Sequence, residues 1–357
     1  MIFYLLGMVV LSIWQVKAYQ GQLFCPDYMG RDTTSSIKGI SMLLIIASHF
    51  KQYVALDSVY DQSYLRLASF LGQTVVIMFL FYSGYGIQEA IKNKGISYVK
   101  KMPVKRIFIT WFNFSIAVCL YILVNLILGK SYDLRTTLLA FTGWTSIGNS
   151  NWYIFAILVM YIVTWVSFLI FRNKYIGGLL SVTMLSGAYV IVLHYFRPEE
   201  DWWFNTIFCY VGGMWYSVLK SKIDSVLQKK VNLYYCALII GSSLIFLLRP
   251  FITRLLIYEV WECIFVVVVV LITMKIRIYN SVLKWIGNHT FELYILQRIP
   301  MLLLAEAGLN KFPYLFLVIS IIALFVMAVI FERVIGYMDR TILRCSGFSE
   351  RTEIKGR

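Results

Sequence analysis

Apolar residues run along this chain in long unbroken stretches rather than in alternation. "CIFVVVVVLITM", residues 263–274, is representative. With a window matched to the roughly 30 Å hydrocarbon layer of a bilayer, about eleven stretches are long enough, or nearly so, to cross as helices. They lie near residues 1–18, 37–54, 67–87, 107–128, 151–171, 175–195, 203–219, 231–248, 255–274, 285–305 and 313–331. A membrane barrel would instead read as short alternating segments of roughly ten residues. In lipid each segment must satisfy its own backbone polar groups, which a helix does alone. The pattern therefore predicts an all-α integral membrane protein.

Composition agrees. Of 357 residues, 60% are hydrophobic and 14% charged, whereas a soluble domain carries charge on about a quarter of its residues. The basic segments "KNKGISYVKKMPVKR", "KSKIDSVLQKK", "KIRIYNSVLK" and the C-terminal tail all fall on one side of an eleven-span arrangement. Such loops face the cytoplasm, so the C-terminus is expected inside and the N-terminus outside. The first stretch lacks a basic leader and its positive charge, Lys17, follows the apolar run; this favours a retained helix over a cleaved signal peptide. The net charge of +15 is accounted for by loops facing anionic lipid, and no nucleic-acid partner is implied. Six cysteines form no C-x-x-C pair, so neither a disulfide framework nor a metal site is signalled. The expected organisation is an N-terminal helix and loop over 1–30, a helical bundle over 31–335 and a basic cytoplasmic tail over 336–357. That tail is too short to be a second folded domain.

Candidate chemistry begins with "SSIKGISMLLIIASHF", residues 35–50. From Lys38 to His49 is eleven helical steps, which separates them by about 16 Å along the axis and about 20° around it. One helix thus carries a cation near its inner end and an acid/base group further out on the same face. An interfacial lysine with its head drawn to water, and a histidine marking the far helix end, is the structural alternative. An ionisable group at membrane depth favours function, because an unpaired charge there costs at least about 2.5 kcal/mol.

Several ordered motifs resemble the membrane-bound acyltransferase family 3, which includes O-acetyltransferases of bacterial surface polysaccharides. "KGISMLLIIASH" matches the family's basic residue, ten-residue spacer and catalytic histidine, with Lys38 where most members have arginine. "GQTVVIMFLFYSGYGI" follows as its glycine, aromatic-rich and Ser-Gly-aromatic run, containing Ser83 and Tyr85. "VKRIFITW" is similar to its basic cluster without the usual proline after the arginine. "NSNWYIFAILVMYI" looks like its Trp-aromatic helix, and "WIGNHTFELYILQRIP" like its late helix, with Gln297 where many members have histidine. The resemblance covers roughly residues 31–331. It implies a ten-helix core plus one extra N-terminal helix, without the appended hydrolase-like domain of some members.

The same resemblance implies an acetyl-CoA donor on the cytoplasmic side, no permanently bound cofactor, and a surface glycan or lipid-linked oligosaccharide as acceptor. His49 would act as base, with a neutral imidazole suited to a hydroxyl proton near pH 7. Lys38, Lys105 and Arg106 would meet the donor phosphates, although a lysine offers a point charge where an arginine offers a fork. Asn151 and Trp152 would face the acceptor, since amides and aromatic rings suit a sugar. Ser83, Tyr85, Glu292, Gln297 and Arg298 are supporting polar groups. The expected location is the bacterial cytoplasmic membrane.

Glu259, Glu262 and Glu292 fall within apolar runs and are expected to face the interior and pair there. His194 reads as interfacial and His289 as a polar group at a helix start. "SGYG" reads as small residues that allow close helix packing, not as a hydrolase elbow. A secondary transporter or flippase would share the spans and the few buried charges, but not the motif order.

Overall fold

The computed structural model describes residues 1–172 and 174–346, so the end of the expected basic tail, 347–357, lies outside the described residues. The helices in chain order are α1 (Ile2–Ile13), α2 (Arg31–Phe50), α3 (Gln62–Leu71), α4 (Thr74–Lys94), α5 (Ile96–Met102), α6 (Ile109–Ile127), α7 (Leu134–Ala140) and α8 (Trp152–Phe171). They continue as α9 (Tyr175–Phe196), α10 (Phe208–Lys229), α11 (Val231–Leu248), α12 (Leu255–Lys275), α13 (Ser281–Asn288), α14 (Thr290–Leu296), α15 (Arg298–Glu306) and α16 (Pro313–Cys345). Two short strands, β1 (Val16–Ala18) and β2 (Ile276–Ile278), pair antiparallel with Lys17 opposite Arg277.

Seven helical segments among the described residues are long and apolar enough to cross a membrane: 74–94, 96–127, 152–171, 175–196, 231–251, 255–275 and 313–345. The protein is thus a membrane protein built of helices, and four of the expected runs take other forms. The first stops at Ile13 and turns into β1, giving α1 only 12 residues. The second is α2, continuous over 20 residues but diluted by Ser35, Ser36, Lys38, Ser41 and His49. The seventh lies in α10, which carries on into its lysine-rich end. The tenth, expected as one helix over 285–305, is divided among α13, α14 and α15, with joints at His289 and Gln297. The expected run over 67–87 is likewise interrupted, because Gly72 takes φ +50° between α3 and α4. That left-handed conformation is open to glycine at little steric cost.

The chain divides into two compact units. One comprises residues 1–92 and 179–290. Its strongest helix contact is α13 against α2. The contact is made through small residues: a Cβ on Gly39 would fall inside 3 Å of the Leu283 carbonyl, and one on Gly287 inside 3 Å of the Ser35 carbonyl. Glycines on both partners let the backbones touch, the packing used where lipid gives no hydrophobic drive between helices. Elsewhere, Trp261, Ile245 and Val268 form an apolar cluster with Phe70 against it, and the Trp261 indole donates to the Ile245 carbonyl at 2.8 Å. Residues 19–25 are tied to the end of α12: the Cys25 amide donates to the Met274 carbonyl at 2.8 Å, and Lys275 donates to the carbonyls of Gly21 and Leu23.

The other unit comprises residues 93–178 and 291 onward. Here α5 continues into α6 through a π-turn over Pro103–Phe108. Proline has no N–H to give to the preceding turn, and a π-turn is a common local accommodation. The Asn125 side chain of α6 donates to the Ile147 carbonyl at 2.8 Å, which pins the loop before α8. Asn113 of α6 donates to Asp339 of α16 at 3.2 Å.

Candidate active site

In the first unit, Lys38 and His49 both lie on α2, without a break between them. Both are partly buried, and His49 sits in the last turn, where its carbonyl accepts from the Gln52 amide at 3.0 Å. The position of α2 is set by α13. Asn280 caps α13, accepting from the amides of Val282 and Leu283 at 2.9 and 3.1 Å. The Asn280 amide also donates to the Leu11 carbonyl of α1 at 2.9 Å. Ser35 donates to Asn288 at 2.8 Å, and Lys284 pairs with Asp32 at 2.7 Å. The latter pair is about half exposed and contributes at most about 1 kcal/mol; the backbone-to-backbone seating at Gly39 and Gly287 fixes the register.

Ser83 and Tyr85 belong to α4, which meets α10 by the same device. A Cβ on Gly84 would fall inside 3 Å of the Tyr210 carbonyl, and one on Gly213 inside 3 Å of the Phe81 carbonyl. The small-residue reading of "SGYG" therefore describes the contact actually made. At the lysine-rich end of α10, Tyr28 bonds to both Tyr216 and Asp224, Asp224 holds Lys220 at 2.6 Å, and the Lys220 ammonium lies 4.6 Å from the Tyr28 ring centre. Burial, then the neighbouring Tyr216, pushes the Tyr28 phenol well above its usual range, so it stays protonated and donates to Asp224. Glu89 accepts from Ser217 and from Lys92, both at 2.7 Å. No local sequence pattern marks these groups as a cluster.

In the second unit, Lys105 and Arg106 ride on the π-turn, with the Arg106 guanidinium donating to the Tyr98 hydroxyl at 3.2 Å. Asn151 precedes α8, and its side-chain nitrogen donates to the Gly143 carbonyl at 2.8 Å. Gly143 takes φ +77°, so this donor maintains a turn. Trp152 opens α8 edge-on to Tyr153, whose ring lies 5.3 Å from that of Tyr294. Glu292 is in the first turn of α14 and Arg298 opens α15. Between them Gln297, fully buried, donates to the Tyr294 carbonyl at 3.1 Å, while its side-chain oxygen is buried with no hydrogen-bond partner among the described residues.

Glu259 and Glu262 face the interior, at 6% and 0% exposure. Their polar neighbours are Tyr258 and the thiols of Cys209 and Cys263. His194 is exposed in the last turn of α9 beside Phe204. His289, expected at a helix start, directly precedes α14 and also closes α13: its ring nitrogen bonds the Trp285 carbonyl at 2.7 Å and its ring stacks on Trp285 at 4.1 Å.

The arrangement on α2 provides an imidazole and an amine eleven residues apart on one continuous helix, seated against α13 with no room for a side chain at Gly39 or Gly287. Compared with known proteins, residues 35–333 match a family model described as an acyltransferase domain. No curated protein and no solved structure matches the chain.

Proposed function

The chain belongs to acyltransferase family 3 and is a membrane acyltransferase, and on that premise we propose that it transfers an acetyl group from cytoplasmic acetyl-CoA to a hydroxyl of a bacterial surface polysaccharide or its lipid-linked precursor. The observation that carries this reading is the placement of Lys38 and His49 on the unbroken helix α2, seated on α13 by Gly39 and Gly287. His49 takes the hydroxyl proton as the acceptor oxygen attacks the thioester carbonyl. The carbon–sulfur bond then breaks, the acetyl ester forms, and the leaving thiolate takes up the proton as the free thiol of CoA. A positioned base of this kind contributes about 10² to 10⁴ in rate.

Lys38 offers its charge to the donor's phosphates near the inner end of α2, with Lys105 and Arg106 as further cationic contacts. Trp152 offers a ring face to the sugar. Asn151 keeps its oxygen for that role, since its nitrogen already serves Gly143. Ser83, Tyr85, Glu292 and Arg298 are supporting groups, and Gln297 supplies a buried acceptor atom. The location is the bacterial cytoplasmic membrane, with the C-terminus inside and the N-terminus outside, supported by the lysine and arginine bias of the loops.

The test is transfer or slow hydrolysis of labelled acetyl-CoA by the purified full chain. Activity that falls by about 10² or more in His49→Ala supports the reading. Undiminished turnover in that variant, or no turnover while the protein carries a glycan across vesicles, overturns it.

A further inference from the structure

A cavity of ≈ 230 Å³ lies in the first unit among α4, α10, α11 and α12, lined by Phe81, Gly212, Tyr216, Leu227, Val267 and Met274 among others. At roughly 30 Å³ per water-sized group, it holds about eight such groups. Its walls are almost wholly hydrocarbon, which leaves water inside without hydrogen-bond partners. Along α12 the lining runs from Cys263 to Met274, about 16 Å of helix. Val267 on its rim is 53% exposed, so the cavity opens sideways from a membrane-crossing helix. Gly212 contributes open space: a Cβ there would meet nothing within 4 Å.

The lysine-rich end of the cavity is polar. Tyr216 lines the cavity and bonds Tyr28, which in turn bonds Asp224. On α10, Lys220, Ile223 and Leu227 recur at intervals of three and four, so the two lining residues share a helix face with Lys220, and Lys230 follows directly as the residue that closes the helix. Lys222, Lys229 and Lys230 are exposed around this end. Hydrocarbon walls ending in phenols, then the Lys220–Asp224 pair and then the exposed Lys222, Lys229 and Lys230 match the cross-section of an anionic lipid, whose phosphate is drawn to lysines at a membrane surface.

We infer that this cavity binds an anionic diacyl phospholipid of the inner leaflet, with part of one acyl chain between α10 and α12 and the phosphate at the exposed lysines that end α10. The inner leaflet follows from the loop-charge orientation proposed above, whereas the binding itself is read independently of acyl transfer.

The experiment is lipid extraction and native mass spectrometry of the full chain purified in mild detergent, followed by reconstitution with phosphatidylglycerol carrying a photoreactive acyl chain. About one phosphatidylglycerol per chain is expected, with crosslinks in 209–227 and 263–274. Gly212→Leu fills the cavity from inside and is expected to remove most of both signals. Ala237→Leu, from the facing helix, repeats the test if the first variant does not fold. Paired Lys229→Ala and Lys230→Ala substitutions are expected to lower the preference for phosphatidylglycerol over phosphatidylethanolamine by roughly five-fold per charge. Unchanged lipid retention and crosslinking in the folded cavity-filling variants overturns the inference. So does displacement of the phospholipid by equimolar polyprenyl phosphate, which would make the occupant a single-chain carrier.

Discussion

Ser35 of α2 and Gly287 of α13 meet backbone to backbone, so that the carbonyl of one occupies the space a side chain on the other would need. The glycine of the late motif is thus a spacer that determines how deeply the His49 helix is seated. Gly287→Ala is expected to destabilise the protein by about 1 to 3 kcal/mol through overpacking. It should also reduce acyl transfer more than donor binding. Thermal unfolding in detergent with initial rates checks this, and a variant with unchanged melting and unchanged rates contradicts it.

Asn280 is 1% exposed and satisfies two amides at the start of α13. Asn280→Ala is expected to cost about 0.5 to 2 kcal/mol as a lost helix cap, with Asn280→Asp recovering part of it. Comparison of the melting temperatures of both variants with the parent protein decides the matter.

Replacing Lys38 separates charge from shape. Lys38→Met is expected to raise the KM for acetyl-CoA by roughly ten-fold or more, since a charge-assisted contact is worth about 1.5 to 3 kcal/mol. Lys38→Arg is expected to preserve or lower it, because a guanidinium grips phosphate with two parallel bonds. Steady-state kinetics with acetyl-CoA varied distinguishes the two, and equal KM values in all three proteins would remove Lys38 from donor binding.

Gln297 carries a buried oxygen without a partner among the described residues, at the joint between α14 and α15. Gln297→Met keeps the volume and removes that unpaired acceptor, so stability is expected to change by no more than about 1 kcal/mol. The KM for the acceptor should rise. A large loss of melting temperature without a kinetic change would make the residue purely structural.

Asp133 caps α7 through the Thr136 amide at 2.9 Å. The Thr136 hydrogen bonds hold its carboxyl below the usual carboxylate range. A depressed folded pKa contributes stability that is fully present above the unfolded value near 4. It is lost as pH falls through the folded value. Hydrogen exchange of residues 134–140 is therefore expected to accelerate below about pH 4. Asp133→Asn, an equally good cap without a titrating proton, should abolish that dependence while keeping the helix.

What could be read from the residues followed the range of the forces involved. Lys38 and His49 lie eleven positions apart on one helix, so helical geometry alone places them. The apolar run over 285–305 misled, because hydropathy averages over the joints at His289 and Gln297 that divide it. Gly72 was visible as a glycine, but its left-handed φ, which ends α3, is a backbone property that hydropathy does not carry. The Tyr28–Tyr216–Asp224 network joins positions nearly 200 residues apart in sequence, and no local pattern records such a meeting. Asn151 was singled out for its amide, yet the Gly143 carbonyl that takes its nitrogen lies eight residues earlier across an irregular loop.

The small ladder that joins Lys17 to Arg277 also constrains the order of biosynthesis. Its first strand leaves the ribosome about 260 residues before its partner exists, a delay of roughly 13 to 50 seconds at ordinary elongation speeds. For that interval the nascent N-terminus has no mate. Completion of the seat beneath the His49 helix must therefore await the arrival of α12 and the segment that follows it, so the half of the molecule that carries His49 matures late in synthesis.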